Sequence, residues 1–252
     1  MGNAFGMGDK GSIMIKRKLG EQWAEKAEDE KMHKMRLING DCLKEVKNIS
    51  TDNTMCIVTD PPFNVGYHYN TYKDNMKEQE YIEWLYQILN IGVPFVVIHY
   101  PEMLHKLSIK LGYAPNKVVS WVYNSNTAKQ HRDIAFYSVK PIFSQVKQLY
   151  KNPNDKRIAK RIAEGKGARL YDWWNINQVK NVSKKEIDHP CVMPNNVMEN
   201  IIGILPKNIT TIIDPFMGAG STGLACKKYD KDFIGIELNE GYFNLSQRRI
   251  TQ

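Results

Sequence analysis

Short apolar runs alternate with amphipathic stretches through most of this 252-residue chain. Arg36-Leu37-Ile38 is a short strand, and Met55-Cys56-Ile57-Val58 is a continuous apolar run of the kind buried on both faces of a sheet. Lys77 to Asn90 places Tyr81, Trp84, Leu85 and Ile88 at helical spacing, so these read as core residues of an amphipathic helix. Pro94 to His99 predicts a strand, Pro101 to Leu111 a helix, Lys117 to Tyr123 a strand, and Ile134 to Tyr137 another. Near the end come a helix (Asn195 to Leu205), a buried strand (Thr211 to Asp214), a helix (Leu224 to Lys228), a strand (Phe233 to Glu237) and a closing helix (Glu240 to Ile250). Such alternation predicts an α/β fold with a mostly parallel, doubly wound sheet.

Lys140 to Ile187 breaks the alternation. It carries twelve Lys/Arg against four Asp/Glu, a net of +8 that equals the net charge of the whole chain. Within it, Asp155 to Glu164 predicts a basic helix, where Ile158 and Ile162 form a narrow apolar seam and Lys156, Arg157, Lys160 and Arg161 crowd the rest. A solvated charged face is the ordinary reading of such a run, but the imbalance of sign favours a polyanionic partner. Of Trp173 and Trp174, one belongs to the core and an exposed one could stack on a base. Residues 1–34, with a Gly/Met-rich start and a charged helical stretch, predict an N-terminal tail or peripheral helix ahead of a single domain at 35–252.

Composition narrows the class further. A hydrophobic share of 42 % supports a substantial core, and no apolar run approaches the ~18 residues of a membrane span. No secretory signal is apparent at the start of the chain. Cys42, Cys56, Cys191 and Cys226 are scattered, as are the six histidines, so reduced thiols, a cytoplasmic location and no metal are expected.

The chemistry lies at strand ends. Thr59-Asp60-Pro61-Pro62-Phe63-Asn64 follows the apolar run at 55–58, and two prolines cannot continue a ladder. A carboxylate, a rigid turn and an aromatic ring thus project from the carboxyl end of a strand, where open α/β sheets bind ligands; an Asp-Pro turn that merely ends a strand is the plainer alternative. Asn39-Gly40-Asp41-Cys42 ends the first strand in a similar way, with Asp41 either capping the next helix or meeting a ligand. Val65 to Asn75, with Tyr67, Tyr69 and Tyr72, reads as a loop near the site. Downstream, Asp214-Pro215-Phe216-Met217 leads into Gly218-Ala219-Gly220-Ser221-Thr222-Gly223, and Glu237 follows 19 positions after the first glycine. Strand, glycine turn, helix, strand and terminal acid describe a site for a nucleoside-containing cofactor, a dinucleotide or S-adenosylmethionine. Only 15 residues follow Glu237, so the sheet has to be completed by what precedes it.

With the Asp-Pro-Pro-Phe half first and the cofactor half last, the sequence resembles the β-class DNA amino-methyltransferases from about Leu37 to Arg249. Their catalytic motif Asp-Pro-Pro-Tyr matches Asp60, Pro61, Pro62 and Phe63, where Phe63 keeps the ring and loses a hydroxyl. Their cofactor loop matches Asp214, Phe216, Gly218, Gly220, Ser221 and Thr222; their ribose strand ends in the acid matched by Glu237; Asp41 and Cys42 match the segment near the cofactor adenine. His189 to Pro194 resembles a segment that usually reads His-Pro-Thr-x-Lys-Pro, with Cys191 and Met193 in place of Thr and Lys. The resemblance implies a permuted Rossmann-like fold, S-adenosylmethionine as cofactor, DNA as substrate, a flipped target base and a recognition segment inserted at about 126–188. An initial Asp implies adenine N6, while cytosine N4 stays open. The resemblance also admits a homodimer and a restriction endonuclease as a separate chain. An NAD-dependent oxidoreductase, a methyltransferase of RNA or of a protein glutamine, and a non-catalytic DNA-binding module are the other readings.

Overall fold

The computed structural model describes residues 34–67, 72–179 and 192–252. The expected tail up to residue 33, Tyr69 of the tyrosine-rich loop, and the stretch 180–191 with His189 and Cys191 lie outside the described residues. The first half of the domain runs β1 (Met35–Asn39), α1 (Cys42–Glu45), β2 (Met55–Thr59), α2 (Glu78–Leu89), β3 (Phe95–His99), α3 (Pro101–Leu111), β4 (Lys117–Val122) and β5 (His131–Tyr137). The second runs β6 (Lys147–Gln148), α4 (Lys156–Ala163), β7 (Ala168–Arg169), β8 (Trp173–Asn175), α5 (Asn195–Ile204), β9 (Thr211–Asp214), α6 (Ser221–Lys228), β10 (Asp232–Glu237) and α7 (Glu240–Thr251).

Eight strands form one sheet in the order β1-β10-β9-β2-β3-β5-β4-β8, and every pairing is parallel except those of β5. The antiparallel turn has a simple cause. Residues 123–130 between β4 and β5 are too few for a crossover, which takes about a dozen residues or more, so the pair closes as a hairpin. Alternation along the central strands divides the core between the two faces. Cys56 and Val58 of β2 join the layer under α5, α6 and α7, while Ile57 joins Tyr81, Leu85 and Ile88 of α2 and Leu104 and Leu107 of α3 on the other side. All of these except Leu104 are sealed from solvent, and each contributes about 1.5–3 kcal/mol of burial.

Element ends follow local chemistry. Pro101 starts α3 and Gly112, left-handed at φ 81°, ends it. Asp155 caps α4 by accepting from the Arg157 N–H, and Asn239 caps α7 through the Tyr242 N–H. Helix α6 begins at Ser221, earlier than the apolar pattern suggested, because Gly220 turns the chain at φ 82°. A Cβ at Gly220 would stand 3.0 Å from Ile250 Cδ1, so this glycine also lets α7 pack close. The basic segment is divided by the fold: β8 belongs to the main sheet, while the β6–β7 ribbon and α4 stand outside it.

Candidate active site

The chain arrives at β2 and β9 from opposite ends of the sequence, yet the two strands are neighbours. Their carboxyl ends, with those of β10 and β1, open on a cavity of about 400 Å³. Asp60, Pro61, Pro62 and Phe63 line it from β2; Asp214, Phe216, Gly218, Ser221 and Thr222 from the β9 turn; Glu237 from β10; Asp41 and Cys42 from the end of β1. Gly220 is absent from the lining, its part being the turn described above. Two motifs more than 150 positions apart are thus one site.

Asp60 stands half-buried with its Oδ2 3.8 Å from Arg132 Nη1 of β5, and its Oδ1 is buried without a hydrogen-bond partner. Burial pushes its carboxyl up to about 7, against the pull of Arg132 and with a further push from Asp214. The Arg132 guanidinium also stands over the Phe63 ring, 4.4 Å from its centroid. Arg132 was not legible as a site residue, since the apolar pattern of its strand starts only at Ile134.

Behind the Asp-Pro-Pro-Phe turn runs a relay that also escaped the sequence. The Tyr100 N–H donates to His99 Nδ1 at 2.8 Å, which leaves the proton of the neutral ring on Nε2. Nε2 lies 3.0 Å from the Tyr81 hydroxyl, which in turn donates to the Pro62 carbonyl at 2.5 Å. Burial, with the nearby cations Arg132 and Lys129, pushes His99 down to about 3, so the ring stays neutral and the relay keeps one direction. His99 ends an apolar strand as Asp60 does, and that shared placement was the available signal. Tyr81, read as core, is core and clamp together.

The cofactor half differs in detail from the expectation. Asp214 is buried and accepts from Thr59 Oγ1 at 2.6 Å, Thr222 Oγ1 at 2.6 Å and the Phe216 N–H at 3.1 Å. Ser221 donates to the Met193 carbonyl at 2.9 Å. The polar groups of Asp214, Ser221 and Thr222 therefore tie β2, β9 and α6 together, and these residues position the loop. Glu237 does face the cavity. Its Oε2 accepts the Gly218 N–H at 2.9 Å and its Oε1 the Asn239 N–H at 2.8 Å, which leaves each oxygen a lone pair for a hydroxyl. Burial raises its carboxyl, and the N–H groups of Asn239, Gly218 and Leu238 oppose that shift. Asp41 caps α1 through the Lys44 N–H and lines the cavity as well. Burial pushes the Cys42 thiol up to about 12, which removes it as a nucleophile. Trp84, taken from its spacing as core, packs against the core cluster of α2 and also forms the cavity wall between Tyr72, stacked at 5.9 Å, and Phe216 at 5.2 Å.

The loop beside this wall is closed by Asp74. Its buried carboxylate accepts the N–H groups of Asn64, Val65 and Tyr67, and Asn64 exchanges two hydrogen bonds with Met76. The four cations of α4 lie away from the cavity, all exposed, with Arg157 held by its own cap Asp155 at 3.1 Å. Of the tryptophan pair, Trp174 is buried and Trp173 is 43 % exposed, with Lys151 Nζ 3.9 Å from its ring centroid.

Residues 54–248 match the model of a DNA methylase family, the N6/N4 type. The type II methyltransferase M.HpaI of Haemophilus parainfluenzae is 26 % identical over 85 % of this chain and 74 % of its own length. The DNA adenine methyltransferase YhdJ of Escherichia coli is 25 % identical over 85 % and 82 %. Among solved structures, the cytosine-N4-specific PvuII DNA methyltransferase superposes with a TM-score of 0.61 at 16 % identity, covering 84 % of this chain and 85 % of that one. The complex of M1.HpyAVI with SAM gives 0.52 at 22 %, over 85 % and 99 %. Those two share the fold. With the family match spanning most of the domain and the two motifs meeting in one cavity, the chain belongs to the N6/N4 family of DNA methylases.

Proposed function

We propose that this chain transfers a methyl group from S-adenosylmethionine to the exocyclic N6 of a flipped adenine in DNA. The charge of the cavity carries the cofactor part of this reading. Among the described residues, Asp41, Asp60, Asp74, Asp214 and Glu237 line it, against Arg132 as the one cation. A sulfonium suits such a lining, whereas the pyrophosphate of a dinucleotide would meet repulsion there. At the start of α6, where a dinucleotide fold receives phosphate, the Thr222 hydroxyl is bonded to the Asp214 carboxylate, which sets a negative group beside that helix end. Glu237 is placed for ribose hydroxyls, and Asp41, Phe216 and Trp84 for the purine. Bound there, S-adenosylmethionine supplies a methyl activated by its positive sulfur, so displacement is direct.

The chain's own contribution is positioning. An exocyclic amino group is a poor nucleophile because its lone pair is delocalised into the ring. The unpartnered Oδ1 of Asp60 and the carbonyl of Pro61 accept its N–H groups, hold it in line and localise that pair. The Tyr81–Pro62 bond keeps the turn fixed while this happens. Phe63 stacks on the flipped base. The exposed cations of α4 (Lys156, Arg157, Lys160, Arg161) and Trp173 with Lys151 serve DNA binding in the segment 126–188. The same reading has the protein work in the cytoplasm, with any endonuclease as a separate chain, and it admits a homodimer.

The test is to methylate unmodified DNA with labelled cofactor, digest it to nucleosides and sequence the modified positions. N6-methyladenine is the expected product. N4-methylcytosine alone would refute the target base and keep the reaction class; no incorporation into DNA would refute both.

A further inference from the structure

Phe63 lines the cavity, yet it is only 9 % exposed. Three groups cover it: His99 with ring centroids 4.5 Å apart, Tyr100 edge-on at 5.1 Å, and the Arg132 guanidinium at 4.4 Å. A base that stacks on Phe63 has to displace one of them. His99 is held through both ring nitrogens, and the backbone of Tyr100 is one of the groups that hold it. Arg132 is the remaining cover, a long side chain that reaches the cavity from β5 with Tyr123 as its hydrogen-bond partner and Trp121 beside it, a side on which it can stay when it leaves Phe63.

We propose that Arg132 is a stand-in for the target base: its guanidinium rests on Phe63 and faces Asp60 until a flipped base takes its place. The inference rests on the base-flipping reading above and adds to it the group that the base must replace. A guanidinium suits the part, being flat, delocalised and edged with N–H donors, as an aminopurine is along its amino edge. Its fit is incomplete in a way that favours exchange. Nη1 stands 3.8 Å from Asp60 Oδ2, beyond a hydrogen bond, while Asp60 Oδ1 and Arg132 Nε are both buried and unpartnered. Buried polar atoms without partners are costly. An entering amino group brings one N–H donor to Asp60 and one to the Pro61 carbonyl, and the departing guanidinium regains water or a phosphate oxygen. Arg132 thus excludes water from the site at rest and sets a threshold that only a base able to satisfy Asp60 and cover Phe63 overcomes.

The test uses the full chain with S-adenosylmethionine and a duplex that keeps the target adenine, located by the product analysis, and carries 2-aminopurine at the neighbouring position, which brightens when the target leaves the stack beside it. Emission should rise when the parent protein binds. In Arg132→Ala, and to a smaller extent in Arg132→Lys, the flipping equilibrium should move toward the extruded base by about 2- to 30-fold, the range of one guanidinium–aromatic contact. The lysine variant keeps a charge beside Asp60, and calorimetry of cofactor binding checks that each variant is folded. Folded variants that flip the base no better than the parent overturn the stand-in role and leave base flipping intact. No rise with the parent overturns base flipping, and this inference with it.

Discussion

Asp60 reaches the cavity with one oxygen toward Arg132 and the other toward nothing, and both facts bear on how its loss would be felt. Asp60→Ala should lower turnover by about 10²–10³, the usual effect of removing one preorganised polar contact. Cofactor affinity should change far less, because Glu237 and the β9 turn hold the other half. Turnover within tenfold of the parent would sink the assigned role. The carboxylate is the accepting form, and its ionisation is raised to about 7, so kcat/KM should rise through neutral pH and fall about tenfold per unit well below it. A flat profile between pH 5 and 8 would count against Asp60 as the acceptor. Glu237→Ala should weaken S-adenosylmethionine by about 1.5–3 kcal/mol, the scale of hydrogen bonds to a charged acceptor, as read by calorimetry. Unchanged affinity, or a preference for NAD, would count against the cofactor reading. At this scale the sequence exposed the residues that stand at strand ends next to prolines or glycines. It left out Arg132, His99 and Tyr81, and it did not show that Asp214, Ser221 and Thr222, which line the cavity, also hold the loop through their hydrogen bonds.

Among the elements, α4 is the clearest case of a pattern without a core to explain it. Its eight residues include four cations, and no residue of it is buried. Each phosphate neutralised adds about 0.9 to the magnitude of the log–log salt slope on duplex DNA. Replacing Lys156, Arg157, Lys160 and Arg161 together by Ala should therefore flatten the slope by about 2 to 3.6, with Arg157 contributing least because Asp155 already holds it. Weakening should be similar across sequences, since phosphate contacts position a protein without reading bases. A parental slope in the quadruple variant would make α4 a solvated face and move attention to Trp173 and Lys151 at the edge of the sheet. The hairpin of β4 and β5 teaches a different lesson. Both strands were legible from their apolar runs, but their mutual direction was not, and that direction brings Arg132 beside Asp60.

Across the whole molecule, two halves of the site come from opposite ends of the domain, and Asp214 joins them by accepting from Thr59 of β2 and Thr222 of α6. The net charge of +8 is carried by a segment whose described part lies largely outside the central layers, while the cavity itself is lined by acids. One molecule thus presents a basic exterior suited to a polyanion and an acidic interior suited to a sulfonium. Alone, the sequence determined most strands and helices outside the basic segment, the two strand-end motifs and the uneven charge, because periodicity, proline and glycine act within a few residues of themselves; β6, β7 and β8 were not legible in it. Tertiary structure decided which carboxylates point outward, which hydroxyls are consumed in holding the loop, that Trp84 forms cavity wall, and that Arg132 covers Phe63. Those outcomes depend on strand order and register, which are fixed by the packing of the whole sheet and not by any local run of residues.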